Sequence, residues 1–545
     1  MSFLFTLLTA LLISMVIIPM MIRLAPRIGM VDQPDPRKVH SVPVPRVGGL
    51  GIIGGALAAM LLWAPFDQAL IAYLFGSVVL LVFGAWDDSC ELGHYVKFIG
   101  QFIAVIALVY WGDVWVSMVP FLAEPLPAYI GKPFTVFAVI GVINAINHSD
   151  GLDGLAAGES MMSMGAMAYL AYLANSQMAL MIALATMGGV FGFLRFNTHP
   201  ARVFMGDAGS QFLGFSLAVI TISLTQHANP GFSMALPALL LGLPVIDILA
   251  VFAQRAYHHM NWFKATKNHI HHRLLELGFD HYQSVIIIYS IQAFFVASAL
   301  VLRYEYDLLI VALYIGVCAL VFSLLLLAER KGWQVNRQGQ KSKLVLLISR
   351  MNSSPVMTRW PVLFVKISIP IYFVAGSLMV GGRVPQDFGI AAVLLAVVLA
   401  FGLVFYRMRS SEYLVRVAVY ATAAFVVYLF EKFTVQLSPD VRVGELIFYV
   451  LLGGSVAFVI RYVRDVNFHT TPTDYLLVFL VVVSGIMSRG QVQENSLGIL
   501  VVKVVILFYG AEIIISRGSR LWNAILDLSV LAATGILGAK VLLSG

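Results

Sequence analysis

The sequence predicts an all-α, polytopic integral membrane protein, with about eleven transmembrane helices in a core and about seven more in a C-terminal extension. Three observations predict it. Of 545 residues, 60% are hydrophobic and 12% charged, half the charged share of about 25% that soluble domains carry. Apolar runs of membrane-crossing length recur along the whole chain. These runs are continuous rather than alternating, which sets a transmembrane barrel aside.

The first run, 2–24, has no positive n-region before it and no small-residue cleavage site after it, so it reads as a retained span rather than a signal peptide. Further core spans fall at 47–64, 68–85, 96–112, 132–147, 155–174, 176–194, 209–226, 233–254, 283–302 and 308–328. The basic stretch ERKGWQVNRQGQKSK, Glu329 to Lys343, reads as a linker between a core at 1–330 and an extension at 344–545. Spans of the extension fall near 360–381, 387–406, 414–431, 445–462, 474–488, 496–516 and 521–543.

The net charge of +7 resides largely in loops. Arg27, Arg37, Lys38 and Arg46 follow the first span, and Arg255, Lys264, Lys267 and Arg273 follow the ninth; the loop 113–131 carries Asp113 and Glu124 instead. Basic loops stay cytoplasmic, so the N-terminus is placed outside. No basic, aromatic-interleaved surface points to a nucleic-acid partner. Cys90 and Cys318 are the only cysteines, one in a polar loop and one in an apolar run, and no disulfide framework is expected.

With this alternation, Lys38, the pair Asp87 and Asp88, the pair Asp150 and Asp153, Asp207, and the histidines His269, His271 and His272 all fall in loops two spans apart, hence on one face. Each motif has a chemical reading and a bland one. In FGAWDDSCELG, two adjacent carboxylates can hold a metal or make one of them a base, or Asp88 with Glu91 forms a capping box. NAINHSDGLDG supplies hard oxygen donors from Asn147, Asp150 and Asp153, suited to Mg²⁺ and phosphates; the alternative is an acidic turn before the next helix. In RVFMGDAGS, Asp207 stands at a helix start, where free amides favour phosphate; a carboxylate there suits phosphate only with a cation between them, and the alternative is a plain N-cap. His269, His271 and His272 lack a nearby cysteine, so phosphate or sugar binding with Arg273 and Lys267 is preferred to zinc, beside a bland basic patch. Asp247 lies inside an apolar span, as a functional group or as a buried, hydrogen-bonded structural one.

Taken together, RKVHSVPVPRVGGLGI, FGAWDDS, DGLDGL, FMGDAGS and HIHHRLLELG resemble, in order, the motifs of the polyprenyl-phosphate N-acetylhexosamine-1-phosphate transferases, a superfamily that includes the phospho-MurNAc-pentapeptide transferases. The resemblance covers roughly 1–330. It implies transfer of a sugar-1-phosphate from a UDP-sugar to a membrane lipid, undecaprenyl phosphate, releasing UMP at a cytoplasmic site in the bacterial inner membrane. It implies Mg²⁺, with Mn²⁺ as the alternative. It makes Asp207 the principal metal ligand, assisted by Asn147. Asp150 and Asp153 become nucleotide-side contacts, Phe204 a ring stacked on uracil and Lys38 a phosphate neutraliser. Asp87 becomes the base for the lipid phosphate, with Asp88 supporting it. HIHHR resembles the GlcNAc-1-phosphate branch, which initiates cell-surface polysaccharides; N-acetylfucosamine and N-acetylquinovosamine are related donors.

The sequence departs from the family at His148 and Ser149, where apolar or hydroxyl residues are frequent, and in 344–545. The extension is expected to be an accessory module without chemistry of its own, supporting homo-oligomers, a downstream glycosyltransferase or the lipid product. The rivals are the pentapeptide transferase, a catalytically dead scaffold and a secondary transporter. A transporter would concentrate its polar groups near the midplane, whereas most of these carboxylates lie at span ends.

Overall fold

The computed structural model describes residues 2–34, 42–90, 92–260, 268–335, 355–380, 386–405, 411–433, 439–462, 497–517 and 519–544. It is helical almost throughout, and among the described residues nine helices are long and apolar enough to cross a membrane. The protein is a multi-pass membrane protein. It divides into two compact units after Arg337.

The first unit runs α1 (Ser2–Leu24), α2 (Gly48–Trp63), α3 (Gln68–Cys90), α4 (His94–Ile106), α5 (Ala128–Ser149), α6 (Leu155–Leu173), α7 (Gln177–Asn197), α8 (Gly206–Ile222), α9 (Leu236–Leu240), α10 (Gly242–Tyr257), α11 (Ile270–Glu276), α12 (His281–Val301) and α13 (Asp307–Arg330). Small residues let these helices approach closely, which is how helices pack where lipid removes the hydrophobic drive between them. A Cβ on Gly55 of α2 would lie 2.4 Å from the Ala10 carbonyl oxygen of α1, and one on Gly188 of α7 would lie 2.3 Å from that of Leu7. Helix α8 is the hub: it packs against α2, α3, α5, α6 and α7, and its apolar stretch is wholly buried.

Between α1 and α2 the chain forms a short antiparallel hairpin, β1 (Val31–Asp32) with β2 (Val44–Pro45), closed by an Arg46–Asp32 ion pair. The PRVGG run then threads along the FMGD run. Phe204 N–H donates to the Pro45 oxygen at 2.8 Å, and Gly48 and Gly49 N–H donate to the oxygens of Phe204 and Met205 at 2.9 and 2.7 Å. Two widely separated motifs thus share one backbone ladder at the start of α8.

Three sequence expectations are corrected. Asp87 and Asp88, expected in a loop, sit in the last turns of α3, which runs on to Cys90. The span expected at 233–254 is two helices, α9 and α10, parted where Gly242 takes φ +23°. Leu243 N–H, at that break, finds Gln292 Oε1 of α12 at 3.2 Å, as a backbone amide without water requires. Third, the spans expected at 414–431 and 445–462 come closer together, as helices Ser411–Phe433 and Pro439–Tyr462. Glu431, in the last turn of the first, and Glu445, in the second, are both paired with a buried lysine.

The described helices of the second unit are α14 (Pro355–Met379), α15 (Gln386–Phe405), α16 (Ser411–Phe433), α17 (Pro439–Tyr462), α18 (Leu497–Arg517) and α19 (Arg520–Ser544). Lys503 of α18 lies 2.7 Å from Glu431 and 2.8 Å from Glu445. The span expected at 474–488 lies outside the described residues.

Candidate active site

The ends of α3, α4, α5 and α8 meet at one point. Lys97, in the first turn of α4, lies 2.6 Å from Asp87 of α3 and 2.5 Å from Asp207 of α8. Asn147, near the end of α5, donates from Nδ2 to Asp207 Oδ1 at 3.2 Å and to Ser210 Oγ at 2.8 Å. Two carboxylates that repel one another are therefore held together by one ammonium group, in a pocket where the Asp87 side chain is only 7% exposed. Sequence reasoning missed Lys97. The available signal was a lysine in the first turn of an apolar span, ten residues after Asp87, where a short turn returns the chain to the same end.

Asp88 plays a different part from its neighbour. Its Oδ1 accepts from Asp207 N–H at 2.9 Å and its Oδ2 from Ala208 N–H at 3.2 Å. It caps α8 from another helix, satisfying amides that a helix start leaves open. The capping-box reading with Glu91 is corrected, because Asp88 is itself helical; so is the plain N-cap reading of Asp207, whose own amide is among those capped. Gly206 makes the arrangement possible: its φ is +74°, and a Cβ there would lie 2.5 Å from Asp88 Oδ2.

Asp150 stands in the short loop between α5 and α6, and its carboxylate takes no hydrogen bond from a described residue. Burial, then the charges of Asp207 and Asp153, push its carboxyl up to about 7. Asp153 turns to the chain just after α7: His199 Nδ1 lies 2.6 Å from its Oδ2, and Ala201 N–H donates to the same atom at 3.1 Å. His281 stacks on His199 with ring centroids 4.0 Å apart. Asp153, His199 and His281 could supply three metal donors. Stacked face to face, however, the two rings direct their in-plane lone pairs in parallel rather than onto one ion, so this cluster reads as two stacked histidines each hydrogen-bonded to Asp153.

The HIHHR segment is α11 with its preceding residue. Asp247, buried in α10, accepts from His269 Nδ1 at 2.8 Å and from Ile270 N–H at 3.0 Å, so it seats the start of α11. His148, His269, His271 and His272 form a run of neighbouring rings, with centroids 5.5, 5.7 and 4.3 Å apart in turn. His271 is held well below the ordinary imidazole range, first by burial and then by His272, His269 and His148, and stays neutral. Arg273 is committed elsewhere, to a two-pronged ion pair with Glu329 of α13 at 2.6 and 2.9 Å. Phe204 lies on the backbone ladder just before α8. Lys38, Lys264 and Lys267 lie outside the described residues.

A divalent cation fits this donor set. Asp87, Asp207 and Asn147 offer hard oxygens, and Asp87 Oδ1 is buried with no hydrogen-bond partner among the described residues.

The sequence pattern described as glycosyl transferase family 4 matches residues 70–225, the stretch that carries Asp87, Lys97, Asn147 and Asp207. The chain is 36% identical over 305 residues to a probable undecaprenyl-phosphate N-acetylglucosaminyl 1-phosphate transferase of Bacillus subtilis (strain 168), covering 55% of this chain and 84% of that one. It is 32% identical over 312 residues to a decaprenyl-phosphate N-acetylglucosaminephosphotransferase of Mycobacterium tuberculosis (strain ATCC 25618 / H37Rv), covering 51% and 77%. It is 25% identical over 348 residues to an undecaprenyl-phosphate alpha-N-acetylglucosaminyl 1-phosphate transferase of Escherichia coli (strain K12), covering 62% and 93%. A chain whose helix ends converge on these residues, and which matches most of the length of such relatives, belongs to the polyprenyl-phosphate N-acetylhexosamine-1-phosphate transferase family.

Proposed function

We propose that this protein transfers GlcNAc-1-phosphate from UDP-GlcNAc to undecaprenyl phosphate, giving undecaprenyl-diphospho-GlcNAc and UMP, at the cytoplasmic face of a bacterial inner membrane. The observation that carries the reading is the Asp87–Lys97–Asp207 cluster at the helix ends, with Asn147 on Asp207. Similar relatives whose names specify GlcNAc-1-phosphate transfer support the choice of sugar.

An oxygen of the lipid phosphate attacks the sugar-linked phosphorus, the phosphoanhydride breaks, and UMP leaves with the bonding electrons. Phosphoryl transfer of this kind depends chiefly on positioning and charge neutralisation. A phosphate monoester is already largely ionised at pH 7, with a second pKa near 6, so Asp87 has little proton to remove. Its part is to help hold positive charge where two phosphates must approach. Asp207, Asp87 and Asn147 would hold Mg²⁺, or Mn²⁺ in its place, which when bound neutralises phosphate charge. Lys97 adds a fixed ammonium to the same pocket. Asp88 keeps the start of α8, and with it Asp207, in place. Asp150 offers its carboxylate to the donor, and His269, held by Asp247, presents its other nitrogen beside His148.

The test supplies purified full-length protein with undecaprenyl phosphate, MgCl₂ and a panel of UDP-sugars, and follows UMP. Release specific to UDP-GlcNAc is expected. Release specific to UDP-MurNAc-pentapeptide would overturn the donor, and solute uptake into vesicles without any UMP would overturn the reaction class.

A further inference from the structure

Behind the loop that carries Asp150 lies a cavity of about 10 Å³, bounded by Ser149, Glu159, Asp247 and His271 and otherwise by apolar side chains. That is the room one water needs, and a buried water needs two to four polar partners. Glu159 of α6 is 2% exposed. Its Oε2 accepts from the Ser149 hydroxyl at 2.6 Å, and among the described residues no group hydrogen-bonds its Oε1. His271 is 4% exposed, and neither of its ring nitrogens meets a protein partner among the described residues. Buried polar groups are nearly always paired, with protein or with ordered water. Asp247 has one bond on each oxygen, from His269 and Ile270, and each oxygen has capacity for another.

We propose that this cavity binds a single water between Glu159, Asp247 and His271, and that Glu159, acting through it, positions His271 and the Gly151 turn of the donor-facing loop. The water accepts the N–H of the neutral His271 imidazole and donates to Asp247 and to Glu159. The link to the loop is direct contact: a Cβ on Gly151 would lie 2.2 Å from His271 Nε2, so the turn rests on that ring. If the ring tilts, the turn and the Asp150 carboxylate beside it follow. Ser149 belongs to the same construction, since its hydroxyl fixes one oxygen of Glu159.

The kinetic part of the test rests on the proposed donor; the structural part does not. Full-length wild type, Glu159→Gln and Glu159→Leu are compared at a resolution that shows ordered water, and donor kinetics are measured in parallel. Water is expected within hydrogen-bond distance of His271 in wild type and in Glu159→Gln, which keeps an oxygen and the side-chain length. In Glu159→Leu the water is expected to be lost and the His271 ring and Gly151 turn to be displaced. The donor KM should rise about tenfold there, the equivalent of one hydrogen bond of about 1.4 kcal/mol, with a much smaller change in kcat, while Glu159→Gln stays near wild type. A wild-type map without that water overturns the site. Water with an unmoved turn and an unchanged KM in Glu159→Leu overturns the positioning role, as does an equal loss in Gln and Leu. If wild type does not turn over UDP-GlcNAc at all, the donor assignment fails, and the maps alone decide the water and the movement of His271. If Glu159→Leu does not fold, the wild-type map and the kinetics of Glu159→Gln decide.

Discussion

Replacing Asp207 by Asn and Lys97 by Met should move the Mg²⁺ requirement in opposite directions. Lys97 Nζ lies 2.6 Å from Asp87 Oδ2 and 2.5 Å from Asp207 Oδ2, so the two oxygens are at most 2.6 + 2.5 = 5.1 Å apart. Two unit charges at that spacing repel by about 3 kcal/mol at an effective dielectric of 20. In wild type the ammonium relieves this. In Lys97→Met a bound cation takes over that role, so the Mg²⁺ concentration for half-maximal rate should fall, by up to about a hundredfold at 1.4 kcal/mol per tenfold. Asp207→Asn removes one of the two charges, and the same concentration should rise. Both variants lose turnover: Asp207→Asn on the order of a thousandfold, the scale of deleting one charge-stabilising group, and Lys97→Met through the loss of a fixed positive charge near phosphate. The assay is UMP release from UDP-GlcNAc and undecaprenyl phosphate across a Mg²⁺ titration. A shift in the same direction for both variants, or no shift in either, would refute the view that lysine and metal answer to the same pair of carboxylates.

Asp88→Asn keeps one accepting oxygen for two amides, so it should cost about 1 kcal/mol of stability, a typical capping loss, and reduce turnover far less than Asp207→Asn; thermal unfolding in detergent beside UMP release checks both. Asp150 has its folded-state carboxyl pushed up to about 7, above an unfolded value of about 3.9. The native state therefore holds the extra proton between these values, and stability should decline as pH rises through that window and level off above it. Asp150→Asn should flatten that decline, and an unflattened curve would remove Asp150 as its source. Cys90 is exposed at the end of α3 and Cys318 is buried, so maleimide labelling of wild type reports Cys90; in sealed cells only a permeant reagent should reach it, and labelling from outside would reverse the orientation. A chain ending at Lys343 should keep transferase activity, and loss of turnover in a well-folded truncation would make the extension part of the reaction.

Most of the helices were legible because lipid-length apolar runs leave few other structures open to a chain. Their ends were less so. Hydropathy stops α3 near Ala85, since Trp86, Asp87 and Asp88 look like a loop, yet the helix continues because Asp88 has backbone amides of α8 to bind. Those partners are some 120 residues away in sequence, and no local pattern shows them. The break at Gly242 lay inside an unbroken leucine-rich run and left only Gly242 and Pro244 as signals. For the site, the aspartates and histidines could be picked out by chemistry and alternation, whereas Lys97 and Glu159 were hidden inside apolar spans. Arg273 shows the converse: its sequence neighbours suggested a ligand, and Glu329, from a different helix, is what it holds.

The cross-helix cap on α8 also bears on how the chain is made. Synthesis proceeds from the N-terminus, and domains of large proteins form as they emerge. Among the described residues, the groups that grip the start of α8 (the Gly48–Gly49 backbone, Asp88, Lys97 and Asn147) precede Asp207 in the chain. The receiving surface is therefore translated in full before the helix it receives. Ribosome-stalled chains ending before and after α8 should differ sharply in protease sensitivity at the α3–α4 turn.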